Sequence, residues 1–99
     1  MIVLVASLKA KAGKEKKVEE ILKAMVPLVQ NEKGALNYIF HRSKADPGSF
    51  MFYEQYADKA ALELHGATTY FKQLGKDLAG LLDGAPVETF YEVLAAITR

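Results

Sequence analysis

Ser49-Phe50-Met51-Phe52-Tyr53-Glu54-Gln55-Tyr56, followed by Ala57-Asp58, is the stretch from which the rest of the chain can be placed. Side chains of an extended segment alternate between faces, so Phe50, Phe52, Glu54 and Tyr56 share one side while Met51 and Tyr53 take the other. Both sides are apolar or aromatic, the pattern of a strand inside a sheet. Just upstream, Asp46-Pro47-Gly48 has turn chemistry, and Leu36 to Lys44 is again strand-like, so the two runs form a hairpin.

Working outward, Ile2 to Ala10 is a nearly continuous apolar run, expected as a central strand covered on both faces. Val18, Ile21, Leu22, Met25, Leu28 and Val29 recur at helical spacing, predicting an amphipathic helix to about Asn31 with a bend at Pro27. Gly34 is a candidate left-handed cap. After the hairpin, Asp58 caps a short helix through Leu64 that ends near Gly66, and Thr68 caps another whose apolar face is Phe71, Leu74, Leu78, Leu81 and Leu82. Asp83-Gly84-Ala85-Pro86 breaks the chain, and Val87 to Ile97 is the expected last strand. The order βαββαβ is that of the α+β, ferredoxin-like split arrangement, a four-stranded antiparallel sheet with helices on one face, here as a single domain over residues 1–99. Two helices cover one face only, so the aromatic second face predicts a homodimer packed sheet to sheet.

Composition narrows the chemistry. The 99 residues are 51% hydrophobic and 25% charged, with a formal net charge of +1. No apolar run approaches the ~18 residues of a membrane helix, and no basic segment precedes Ile2–Ala6 to make it a secretory signal, so a cytoplasmic, soluble protein is expected. The near-neutral charge gives no general attraction for nucleic acid. Without cysteine there is no thiolate nucleophile and no zinc-thiolate site. Small molecules are the leading partner class.

Glu54 is a carboxylate among rings. Under the helices, desolvation would raise its pKa toward the range of a general acid or base, although a strand-end glutamate can equally pair with a lysine or a partner subunit. His65 sits in the last turn of the short helix, where an imidazole can simply favour the helix terminus, yet Leu62 marks the inward side and His65 lies close to it. A Glu54–His65 pair could move protons on a bound substrate. Tyr70 can point a hydroxyl into a cleft or into water. Tyr38, Phe52, Tyr56 and Phe71 supply aromatic wall, and His41, on the opposite side of its strand from Tyr38, is the second candidate histidine. His41, Glu54 and His65 lack a recognisable ligand spacing, so no metal is expected.

The succession Glu32-x-Gly34, Tyr38, Asp46-Pro47, Phe50, Glu54, Tyr56, Asp58, Ala61-Leu62, His65, Thr68 and Phe71 resembles the antibiotic biosynthesis monooxygenase domain. The resemblance spans essentially the whole chain and implies a dimeric α+β barrel with a cavity between sheet and helices. Glu54 and His65 match family positions, Phe71 matches an aromatic wall position, and Tyr56 stands where tryptophan is usual. The implied activity is a cofactor-independent monooxygenase acting on a phenol or quinol with molecular oxygen. Within the same family lie an isomerase-like branch on a phosphorylated autoinducer-2 product and haem-degrading enzymes. Haem use is disfavoured because Ala6 and about Gly75 stand where that branch carries asparagine and histidine. Three readings follow: an oxygenase with Glu54 or His65 as base and Tyr70 or Tyr38 orienting oxygen atoms, a proton-shuttling isomerase on a small carbonyl compound, and a non-catalytic ligand-binding dimer. Basic side chains inside the cavity would favour a phosphate, aromatic walls a flat substrate.

Overall fold

In the computed structural model, which describes residues 1–99, the quoted stretch is strand β3 (Ser49–Tyr56), and its burial alternates as period two demands. Phe50, Phe52, Glu54 and Tyr56 are buried, while Ser49, Met51, Tyr53 and Gln55 are partly open. β1 (Ile2–Lys9), β2 (Ala35–Arg42), β3 and β4 (Val87–Tyr91) form one antiparallel sheet in the order β2-β3-β1-β4. This is the ferredoxin-like α+β fold. Four helices complete it: α1 (Glu15–Lys23), α2 (Met25–Val29), α3 (Lys59–Ala67) and α4 (Thr69–Leu78).

The α1–α2 break falls at Ala24, three residues before Pro27. Proline has no N–H to offer the carbonyl four residues back, at Lys23, and its ring crowds that carbonyl, so the ladder stops there. The core joins Leu8, Ala10, Val18, Leu22, Phe50, Phe52 and Leu78 between sheet and helices. Each such fully buried large side chain stabilises the fold by roughly 1.5–3 kcal/mol relative to exposure. Phe52 also stacks between Tyr38 and Phe40, at centroid distances of 4.6 and 4.8 Å.

Gly34 is not a left-handed cap; the positive-φ glycines are Gly13, Gly80 and Gly84. What position 34 requires is space, since an added Cβ would stand 2.4 Å from the Ala61 Cβ. That close approach seats the turn after α2 directly against α3, and it carries Glu32 toward His65. The break between α3 and α4 comes at Thr68, two residues later than Gly66 suggested. Leu81 and Leu82 lie beyond the end of α4 rather than on it.

β4 ends at Tyr91, well short of Ile97. Tyr91 pairs with Val3, close to the start of β1, so residues from Glu92 onward have almost no β1 left to pair with. Val93, Leu94 and Ile97 are exposed. No helix covers the second face of the sheet, where Ile39, Val87 and Tyr91 are also exposed. No helix of the chain is long and apolar enough to cross a membrane.

Candidate active site

Asp58 caps α3, its side chain accepting the Ala61 N–H at 2.9 Å. Thr68 joins α3 to α4: its hydroxyl donates to the His65 carbonyl at 2.8 Å and accepts the Phe71 N–H at 3.2 Å. Two caps therefore fix the pitch of one short helix, and His65 in its last turn faces the sheet, 3% exposed. Aromatic rings hold the imidazole on three sides, Tyr38 at 5.6 Å, Tyr56 at 5.4 Å and Phe71 at 5.1 Å.

The imidazole lies between two carboxylates. Nδ1 is 3.0 and 3.1 Å from the two oxygens of buried Glu32, and Nε2 is 4.0 Å from Glu54 Oε1. A carboxylate accepts, so Nδ1 carries the proton and donates it to Glu32; in the neutral ring Nε2 then keeps its lone pair. Nε2 makes no hydrogen bond, and the imidazole, though nearly buried, contributes to one concave surface. That surface is a cavity of about 420 Å³ between sheet and helices, with Tyr38, Phe52, Glu54, Leu62, His65 and Phe71 in its wall. Its size is near the lower end of the roughly 300–1,000 Å³ of small-molecule sites. Leu4, Leu22, Leu74 and Phe90 complete an apolar lining, with Glu88 at its β4 side.

Burial raises the pKa of Glu54, against the opposing effects of the Tyr56 hydroxyl bond and of His65. Tyr56 donates to Glu54 Oε1 at 2.5 Å. Burial also raises Tyr38 and Tyr56, with Glu54 adding to both, and lifts Tyr70 to about 12 with help from its bond to Glu32. These three phenols stay protonated near neutrality, which leaves Glu54 and His65 as the proton acceptors inside the cavity, with Glu88 exposed on its β4 side. A carboxyl raised above its ordinary 4.5 favours the fold when protonated; that contribution is lost as pH rises through the native value. Glu54→Gln, which keeps an acceptor for Tyr56, is therefore expected to be more stable than wild type at about pH 8, by on the order of 1 kcal/mol, and to lose this advantage near pH 4, as read by denaturant melts. A wild type that gains stability over the variant as pH rises would contradict the raised pKa.

Of the residues singled out in the sequence, Tyr38, Phe52, Glu54, His65 and Phe71 come together on the cavity. His41 does not. It is exposed on the other face of the sheet, its Nδ1 at 3.0 Å from the Ile39 carbonyl and 3.3 Å from that of Met51, because it is odd-numbered on a strand whose even positions, Tyr38 and Phe40, face the helices. Tyr56 is fully buried behind Glu54 and supports it rather than lining the cavity. Tyr70, half-buried, gives its hydroxyl to Glu32 and does not line the cavity. Glu32 and Glu88 are the residues that candidate-by-candidate sequence reasoning passes over. Glu32 has one signal in the sequence, the Glu32-x-Gly34 spacing; Glu88 has none beyond strand alternation.

Residues 1–76 match the family model described as antibiotic biosynthesis monooxygenase. A crystal structure of a Caulobacter crescentus CB15 protein named for that family is 35% identical, with 95% of this chain and 90% of the other covered at a TM-score of 0.88. A Pseudomonas aeruginosa structure is 31% identical, covering 95% of this chain and 94% of that one at a TM-score of 0.90. An uncharacterised Synechocystis protein is 27% identical over 81 residues, 82% of this chain, and the match spans 55% of that relative's length. Glu32, Glu54, His65 and Phe71 all lie inside the matched residues, and Glu88 outside them. The chain belongs to the antibiotic biosynthesis monooxygenase family.

Proposed function

We propose that the chain is a cofactor-independent oxygenase of an electron-rich phenol, hydroquinone or anthrone. The observation that carries this reading is His65, held through Nδ1 on Glu32 with Nε2 open to an apolar cavity beside Glu54. A substrate hydroxyl there gives its proton to Nε2, and the imidazolium is stabilised by Glu32 on one side and by Glu54, when ionised, on the other. The resulting anion is electron-rich enough to pass an electron to molecular oxygen. The aromatic and aliphatic wall keeps water from the radical pair until a carbon–oxygen bond forms. For an anthrone the balance closes without a reductant: a CH2 group and O2 give a carbonyl and one water, the substrate supplying all four electrons.

Among the cavity residues there is no lysine or arginine, which favours a flat apolar substrate over a phosphorylated one. Ala6 and Gly75 both line the cavity and offer no iron ligand. The uncovered sheet face supports a homodimer as part of the same reading, and a monomeric mass by light scattering at micromolar concentration would remove that part. Oxygen uptake with a panel of hydroquinones and anthrones, no cofactor added, tests the chemistry. Uptake of one O2 per anthrone converted is expected for at least one member. Product formation from any member without oxygen uptake, or no uptake with all of them, would overturn it.

A further inference from the structure

β4 brings a second carboxylate to the cavity wall, beside Glu54. Its register sets Phe90 opposite Leu4 and Glu88 opposite Ala6; Leu4 in turn faces Glu54, and Ala6 faces Phe52. Glu88 therefore stands on the helix-covered side of the sheet, one alternation along from the level of Glu54. Its neighbour on β1 is only a methyl group, so space opens between them. Glu88 is exposed while Glu54 is buried, which puts Glu88 at the mouth and Glu54 within, with buried Glu32 behind His65. None of the ion pairs of the chain involves Glu88. Its charge acts inward, and it is one of the influences that raise the Glu54 pKa.

A ligand entering this cavity meets one sign of charge. An aromatic carboxylate or phosphate would leave water for an apolar wall that offers no lysine or arginine, with Glu88 at the entrance and Glu54 beyond it. A neutral phenol incurs no such cost, and an ammonium group at the rim would meet Glu88 as a partner. We propose that Glu88 selects substrate by charge, so that the cavity takes neutral or cationic aromatics and turns away anionic ones. This rests on the cavity being the substrate site of the oxygenase proposed above. It concerns a residue outside the part of the chain that matches the family model, and so a property in which members can differ.

The test is binding, separate from turnover. Naphthol and its ring-carboxylated and ring-aminomethylated counterparts are titrated against wild type, Glu88→Gln and Glu88→Lys by calorimetry at low salt. In wild type the neutral probe is expected to bind about tenfold tighter than the carboxylate, about fivefold of it from the like charge of exposed Glu88 and the rest from moving a carboxylate out of water into an apolar wall. The carboxylate-to-neutral affinity ratio is expected to rise about fivefold in Glu88→Gln and further in Glu88→Lys, while the ammonium probe loses ground in the same order. Added salt should shrink the differences, since Glu88 is exposed. Ratios identical in the three proteins would overturn the selection by Glu88 and leave the oxygenase reading standing. Failure of the wild type to bind even neutral naphthol would overturn both.

Discussion

His65→Gln is expected to lower kcat/KM for oxygen uptake by about 10²–10⁴-fold while leaving a folded protein. Glutamine can still donate an amide N–H toward Glu32, so the buried carboxylate keeps a partner besides the Tyr70 hydroxyl. What is lost is the lone pair of Nε2, the one nitrogen of the site open to the cavity. His65→Ala would confuse two effects, since it also strips the imidazole partner from buried Glu32, a loss that can cost several kcal/mol of stability. Steady-state oxygen uptake beside a thermal melt separates them. A Gln variant retaining a third or more of wild-type kcat/KM would move the base to Glu54.

Glu32→Gln is expected to lower kcat on the order of 10²-fold with KM nearly unchanged, because Glu32 never meets the substrate. A carboxylate can only accept, so it dictates that Nδ1 holds the proton. A carboxamide can present either oxygen or NH2 to the ring, and the second choice turns the donor nitrogen toward the cavity. Loss of the negative charge also removes a stabiliser of the imidazolium formed when His65 takes a proton. Tyr70→Phe, which removes one of the bonds that hold Glu32, is the mild control, at about threefold on kcat. Equal kcat loss for the two variants would point to a packing defect instead. A raised KM in Glu32→Gln would place Glu32 in contact with the substrate, contrary to the geometry.

The parts of this molecule set by local rules are legible in its sequence. Period-two alternation places Phe50, Phe52, Glu54 and Tyr56 under the helices, and the same rule sends His41 to the far face, so a second histidine near the site was never compatible with the strand that carries it. Pro27 breaks the helix not at its own position but at Ala24, beside the Lys23 carbonyl that its missing N–H leaves without its helical donor, and Asp58 and Thr68 cap the helices their spacing marks. The parts set by long-range approach are not. Glu32 reaches His65 because Gly34 lets the turn after α2 lie against Ala61, a contact between segments far apart in the chain that no local pattern encodes. β4 stops where β1 runs out of residues to pair, although apolar side chains continue to Ile97. Tyr56, expected as aromatic wall, and Tyr70, expected to point its hydroxyl into a cleft or into water, each give that hydroxyl to a buried carboxylate, and neither lines the cavity. The site thus consists of a carboxylate and imidazole legible from alternation and helix phase, and a second carboxylate that only the folded chain brings in.

All of the proposed chemistry depends on which nitrogen of His65 carries the proton in the neutral ring. Long-range ¹H–¹⁵N correlation spectra of protein labelled at histidine nitrogen, recorded on the alkaline side of the ring's titration, read this directly. The expected pattern for His65 is a protonated Nδ1 bound to Glu32 and an unprotonated Nε2, with that assignment weakened or mixed in Glu32→Gln. A neutral His65 found with its proton on Nε2 in the wild type would contradict the account, because no lone pair would then face the cavity.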